Sequence, residues 1–144
     1  MPPRSTSGDW IGQRAGPIRE KASAERIAAF RRAVGASSGD SAPPTFMTTL
    51  RAGEFEIFQR LGIPLSSLLH AEQQYRLLDP IRGGDELEFE TILANAVEKR
   101  GSAGALHFLT LDTQVVALRE GARVPVGTCR STIVYRELPQ GDAA

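Results

Sequence analysis

The sequence predicts an α+β domain in which an antiparallel sheet wraps around one long central helix. Three observations predict it. Between Ala42 and Leu61 the apolar residues recur at helical spacing, and at about 100° per residue Phe46, Met47, Leu50, Ile57, Phe58 and Leu61 fall within one third of the circumference. Beyond Leu61 the period drops from about 3.6 to about 2, most clearly where Leu87, Phe89, Thr91 and Leu93 alternate with Glu86, Glu88 and Glu90. The 144 residues contain no interior linker, repeat or low-complexity tract, so they read as one domain large enough to bury a core without staples.

Met1 to Gly8 is rich in Pro and Ser and is expected to be a disordered N-terminal segment, with residues 9–138 as the domain and 139–144 as a flexible tail. Trp10 to Ile18 reads as a lead-in that packs the single tryptophan against the body. Ser23 is an N-cap for a helix over Ala24 to Val34, with Glu25 in its first turn and Gly35 past its end. A short Gly/Ser loop, Gly35 to Ser41, leads into the central helix. Pro43 and Pro44 mark its start, Thr45 is placed to cap it, and Gly62 with Pro64 marks its stop. Four strands follow: His70 to Leu78, Asp85 to Val97, Ala105 to Leu118 and Val124 to Tyr135, separated by turns at Pro80 to Gly84, Arg100 to Gly104 and Glu120 to Ala122. A single-helix domain of this kind leaves a strand edge open, which predicts pairing with another copy or a relative.

The formal net charge is zero, so the total gives no reason to expect nucleic acid as a partner. Residues 1–35 carry seven Arg and Lys against three Asp and Glu, and this reads as solvated surface or as a basic patch that meets the phosphates of a carrier. One cysteine, Cys129, cannot form an internal disulfide, and two histidines offer no zinc-ligand spacing. The expectation is a reduced, cytoplasmic protein without metal or cofactor. No apolar run approaches the roughly 18 residues of a membrane span, and the N-terminus lacks a signal-peptide core.

Four stretches in order, Ala42-Pro43-Pro44-Thr45-Phe46, Leu69-His70-Ala71-Glu72-Gln73, Pro80-Ile81-Arg82-Gly83-Gly84-Asp85-Glu86-Leu87 and Glu98-Lys99-Arg100-Gly101, resemble the MaoC-like dehydratases, specifically their N-terminal-type hot-dog half. The similarity runs from about Ile11 to Tyr135, with Ala71 where the family segment has glycine. The resemblance implies a hot-dog fold acting on acyl thioesters of coenzyme A or acyl carrier protein, by dehydrating a 3-hydroxyacyl group or hydrating a 2-enoyl group. It also implies an Asp and a His in a Gly-Asp-x-Asn-Pro-x-His segment, and a helix-start amide that polarises the thioester carbonyl. Here the chain departs: Gly39-Asp40 is followed by Ser41-Ala42, with no Asn-Pro and no histidine before His70. Asp40 therefore reads as a turn residue, and a catalytic relative would have to supply the dyad.

Glu54 interrupts the apolar stripe between Leu50 and Phe58, where an unpaired carboxylate is costly. It reads either as an acid facing the acyl cavity, base or nucleophile in a thioesterase, or as a structural partner of Arg51, Arg76 or Arg82. His70 reads as a thioester- or partner-contacting group or as a structural hydrogen bonder, and His107, alternating with Leu109 and Leu111, as core packing. Thr45 and Phe46 could offer helix-start N–H groups to a carbonyl. Cys129 lacks a base on its own strand face and reads poorly as a nucleophile. The preferred reading is an acyl-thioester-binding hot-dog subunit, homodimeric or heterodimeric, that lacks its own dyad and binds substrate through Thr45, Phe46, Glu54 and His70. The alternatives are a thioesterase using Glu54 and a non-enzymatic thioester-binding or scaffolding module.

Overall fold

The computed structural model describes residues 7–37 and 39–137. The expected N-terminal disorder at residues 1–6 and the tail at 139–144 lie outside the described residues. Ser7 and Gly8, read as part of that frayed segment, instead start a one-turn 3-10 helix, Ser7–Trp10, in which Ser7 is buried. Five strands follow in the chain: β1 (Arg14–Ala22), β2 (Leu68–Leu77), β3 (Asp85–Gly101), β4 (Gly104–Arg119) and β5 (Ala122–Glu137). They form one sheet in the order β1-β3-β4-β5-β2 with every neighbouring pair antiparallel. Helices α1 (Ala24–Ala33) and α2 (Ala52–Leu61) complete the domain.

Strand β1 is the element that the sequence pattern concealed. Gly16-Pro17 interrupts it, the register shifts between Ala15 and Ile18, and of its nine residues only Ala15 and Ala22 are buried. Pro is tolerated there because β1 is an edge strand. A Cβ on Gly16 would stand 2.8 Å from the Phe89 carbonyl oxygen, so the bulge depends on glycine at that position.

Helix α1 follows its sequence signals: the Ser23 hydroxyl accepts from the Arg26 N–H at 3.1 Å, and the chain leaves through Gly35 at φ +72°. The central rod is present but divided into a 3-10 turn, Pro44–Thr49, and α2. A Thr49 back-bond accompanies the division, where Leu50 leaves helical geometry at φ −90°, ψ 65°. The Thr49 hydroxyl donates to the Phe46 carbonyl at 2.8 Å, the oxygen that the Leu50 N–H would claim in a continuous α-helix. The Leu50 N–H turns instead to Met47 O at 3.1 Å. Thr45 does not cap this segment: the position before the turn is Pro43, without a side-chain cap.

The buried stripe survives the break. Phe46, Met47 and Leu50 pack against Leu87, Phe89, Val115, Ala117 and Val126, while Ile57 and Phe58 pack against Leu93, Leu109, Leu111 and Ile133. Each fully buried side chain of this size contributes roughly 1.5–3 kcal/mol relative to exposure. The sheet therefore curls around the rod. Strand β2 is the edge opposite β1, with Leu69 and Leu77 exposed and Leu65 and Leu78 exposed on either side of the strand.

Candidate functional site

The region around Glu54 is built by three elements: the first turn of α2, strand β5 and edge strand β2. Gly53 brings the helix start onto the sheet, because a Cβ there would meet the Thr91 side chain, whose hydroxyl is hydrogen-bonded to Thr113 at 2.8 Å. The next residue, Glu54, is only 3 % exposed. Its Oε2 receives Arg51 Nε at 3.3 Å, and its Oε1 is buried without a hydrogen-bond partner. Arg51 is thus the partner among the three arginines considered.

On the sheet side, burial first and the Glu54 charge second push the Cys129 thiol up to about 11, so it stays protonated and unreactive near neutral pH. The Gln73 amide N–H donates to Cys129 Sγ. Gln73 Oε1 accepts from the Ser131 hydroxyl at 2.9 Å and faces His70 Nε2 at 2.8 Å. A polar seam therefore runs across the β2 edge of the sheet, from exposed His70 through Gln73 to Cys129. Arg130 lies on the opposite face and pairs with Asp112 at 2.6 Å.

Thr45 is exposed in the 3-10 turn. Phe46 is fully buried, and its N–H donates to Pro43 O at 2.9 Å, so that N–H is already bonded within the chain. The α-helical start lies seven residues past Thr45, at Ala52, and the first bond into it is Phe55 N–H to Arg51 O at 3.1 Å. The amides that precede this bond belong to Ala52, Gly53 and Glu54. Sequence reasoning put the helix start at Thr45 because the two prolines are its strongest local signal. Asp40 serves its loop through the backbone, its carbonyl accepting from Gly83 N–H at 3.1 Å.

Among the described residues the only imidazole–carboxylate contacts are those of His107. Its Nε2 lies 2.8 Å from Glu137 Oε2 and 3.8 Å from Glu98 Oε1. The ring is 1 % exposed and flanked by Trp10 and Tyr135, with centroids at 5.2 and 5.4 Å. His107 pairs with Tyr135, six residues along β5 from Cys129, a separation of roughly 20 Å at strand rise. This pair is therefore distant from the Glu54 seam. The sequence expectation of no metal rested on the absence of ligand spacing, whereas the register of three strands brings Glu98, His107 and Glu137 together. No helix among the described residues is long and apolar enough to cross a membrane.

The family model described as "FAS1-like, dehydratase domain region" matches residues 9–124. A search of curated proteins finds no match. Among solved structures, the chain is similar to one in the C-terminally truncated HadBC (3R-hydroxyacyl-ACP dehydratase) complex of Mycobacterium tuberculosis, with 18 % identity and a TM-score of 0.73, covering 90 % of this chain and 99 % of that one. A protein described as a MaoC-like dehydratase gives 22 % identity and a TM-score of 0.72, over 91 % of this chain and 43 % of that one, so the present chain spans less than half of it. A chain of the ChsH1-ChsH2 complex of Mycobacterium tuberculosis gives 12 % identity and a TM-score of 0.60, over 90 % of this chain and 87 % of that one. These likenesses show a shared fold. Together with the family match over most of its length, they establish that the chain belongs to the FAS1-like dehydratase-region family and has the hot-dog fold of the MaoC-like dehydratases.

Proposed function

We propose that this chain is the acyl-thioester-binding subunit of a (3R)-hydroxyacyl dehydratase or enoyl hydratase, and that a hot-dog partner bearing the Asp and His performs the proton transfers. The observation that carries this reading is the environment of His70. It is exposed on edge strand β2 and bonded to Gln73, while the other histidine is sealed under Trp10. A dehydratase needs a base at the C2–H bond and an acid at the C3 hydroxyl of the same substrate, and neither imidazole offers that next to Glu54. The HadBC and ChsH1-ChsH2 neighbours are named as complexes of two components, which supports pairing with a relative.

In this reading the β2 edges meet, the seam from His70 to Cys129 becomes internal, and the acyl chain lies along the rod between the two subunits. Thr45, Glu54 and His70 line the slot, and buried Phe46 forms the floor under Thr45. The amides at Ala52 to Glu54 take the carbonyl-polarising role that the sequence assigned to Thr45 and Phe46. The thioester is carried by coenzyme A or by acyl carrier protein. The purified chain alone should neither hydrate a 2-enoyl thioester nor dehydrate a 3-hydroxyacyl thioester, and activity should appear on adding a hot-dog partner with an intact Gly-Asp-x-Asn-Pro-x-His segment. Hydration by the chain alone would overturn the reading.

One observation favours a second reading. The partnerless buried Oε1 of Glu54 is the kind of acid that a hot-dog thioesterase requires. Thioester cleavage by the chain alone, lost in Glu54→Gln, would select it.

A further inference from the structure

We propose that Glu98, His107 and Glu137 form a divalent transition-metal site at the end of the sheet remote from Glu54. Each ligand comes from a different strand, β3, β4 and β5, which are adjacent and continuously paired there. Rigid neighbouring strands are a good scaffold for a metal because the donor positions are set before the ion arrives. One atom from each residue lies within 4.8 Å of the others, and the two distances from the imidazole nitrogen are 2.8 and 3.8 Å. An ion with bonds of roughly 2.0–2.2 Å holds its ligand atoms about 3–3.5 Å apart, so sub-ångström shifts of the two glutamates suffice.

The imidazole Nε2 lies 2.8 Å from Glu137 Oε2 and beyond hydrogen-bond reach of Glu98, and an ion bound here would take the Nε2 lone pair, with the ring proton on Nδ1. Glu98 is held instead by Arg100 at 2.7 Å, a side chain half exposed to solvent and free to swing out. His107 Nδ1 has no hydrogen-bond partner, so the carboxylate side is the ring's only polar anchor.

One imidazole and two carboxylates suit Zn²⁺, Co²⁺, Mn²⁺ or Fe²⁺ rather than a soft monovalent ion. The part-exposed Glu137, at 38 %, leaves a path for the ion and room for water as further ligands. Bound metal would staple three strands close to the turn of the β3–β4 hairpin and stabilise the fold by mass action. The site makes no use of the acyl slot and does not depend on the function proposed above.

The only tryptophan in the sequence reports on it, since its ring centroid stands 5.2 Å from that of His107. The test uses the full chain, without a histidine tag, titrated with Co²⁺ while Trp10 fluorescence and visible absorption are followed. The expected result is saturable quenching at one ion per chain, visible d–d bands, reversal by EDTA and displacement by Zn²⁺. Because replacing buried His107 confounds metal loss with misfolding, the decisive variants are Glu137→Gln and Glu98→Gln, each expected to weaken binding about tenfold or more. Arg100→Ala should bind at least as tightly as the parent. Absence of saturable quenching up to about 1 mM Co²⁺, or quenching unchanged in Glu137→Gln, would overturn the site and leave His107 as an ion-pair residue alone.

Discussion

Arg51 Nε and Glu54 Oε2 stand 3.3 Å apart across the first turn of α2, while the second oxygen of the same carboxylate is buried with no partner. The two residues are unequal: Arg51 is about one-third exposed and Glu54 almost wholly buried. Removing Arg51 strands a buried charge, whereas Glu54→Gln removes that charge together with its desolvation cost. Urea unfolding should therefore show Arg51→Ala destabilised by about 1–3 kcal/mol and Glu54→Gln changed by less. The reverse order would mean that the carboxylate is held by contacts other than Arg51.

Gly53 lies where the helix start presses on Thr91. Gly53→Ala raises helix propensity but drives a methyl into the Thr91 side chain, and overpacking of this kind costs about 1–3 kcal/mol. In a double-mutant cycle with Thr91→Ala, which removes the obstructing hydroxyl, the pair should be less destabilised than the sum of the single changes. Strict additivity would show that the helix start shifts away from β3 freely.

Burial at the Pro80–Gly84 turn disfavours the Asp85 charge, but the Arg119 guanidinium, bonded at 2.7 and 3.0 Å, and the Arg82 N–H, at 2.8 Å, outweigh it and hold the carboxyl below its ordinary range. A carboxyl depressed in the folded state contributes stability that is complete above its unfolded value, roughly pH 4, and is lost as pH falls through the lower folded value. Below about pH 4 the stability of the parent should therefore fall more steeply with acid than that of Asp85→Asn, measured by denaturation at a series of pH values. Parallel curves would remove Asp85 from the acid response.

The Cys129 thiol, raised to about 11 by burial and by Glu54, should resist alkylation in the folded protein at pH 8 and react at once in denaturant. Because Glu54 is the second cause, Glu54→Gln should lower the pH at which the folded protein begins to react. Equal rates in folded and unfolded protein would place the thiol outside the core.

Where local patterning agreed with tertiary structure, the sequence was a sufficient guide. Ser23 capped α1 as its position implied, the alternation from Leu87 to Leu93 gave β3 its buried face, and Glu54 stood out because it broke an apolar stripe. Three features depended on forces that no short window displays. Strand β1 hides behind Gly16-Pro17, residues that ordinarily end strands and survive here only through an edge position and a bulge. The rod is divided at Leu50, whose φ −90°, ψ 65° leaves helical geometry beside the Thr49 back-bond, a local backbone feature that periodicity does not register. The Glu98–His107–Glu137 cluster exists only through strand register, which gathers residues far apart in the chain.

Leu69 provides the sharpest test of the partnered reading. It is 66 % exposed on the β2 edge of the sheet, next to His70, and an uncovered apolar edge strand is a liability that proteins normally cover. If a relative pairs along β2, Leu69 is buried at the seam, and a charge there must be desolvated without a partner. Leu69→Glu should then shift the assembly toward single chains in sedimentation and abolish the activity gained with the catalytic partner. Leu106→Glu, on the distant β3–β4 hairpin at 38 % exposure, should leave both unchanged. An assembly that tolerates Leu69→Glu would place the partner on another face of the domain, and the seam from His70 to Cys129 would lose its claim to border the acyl slot.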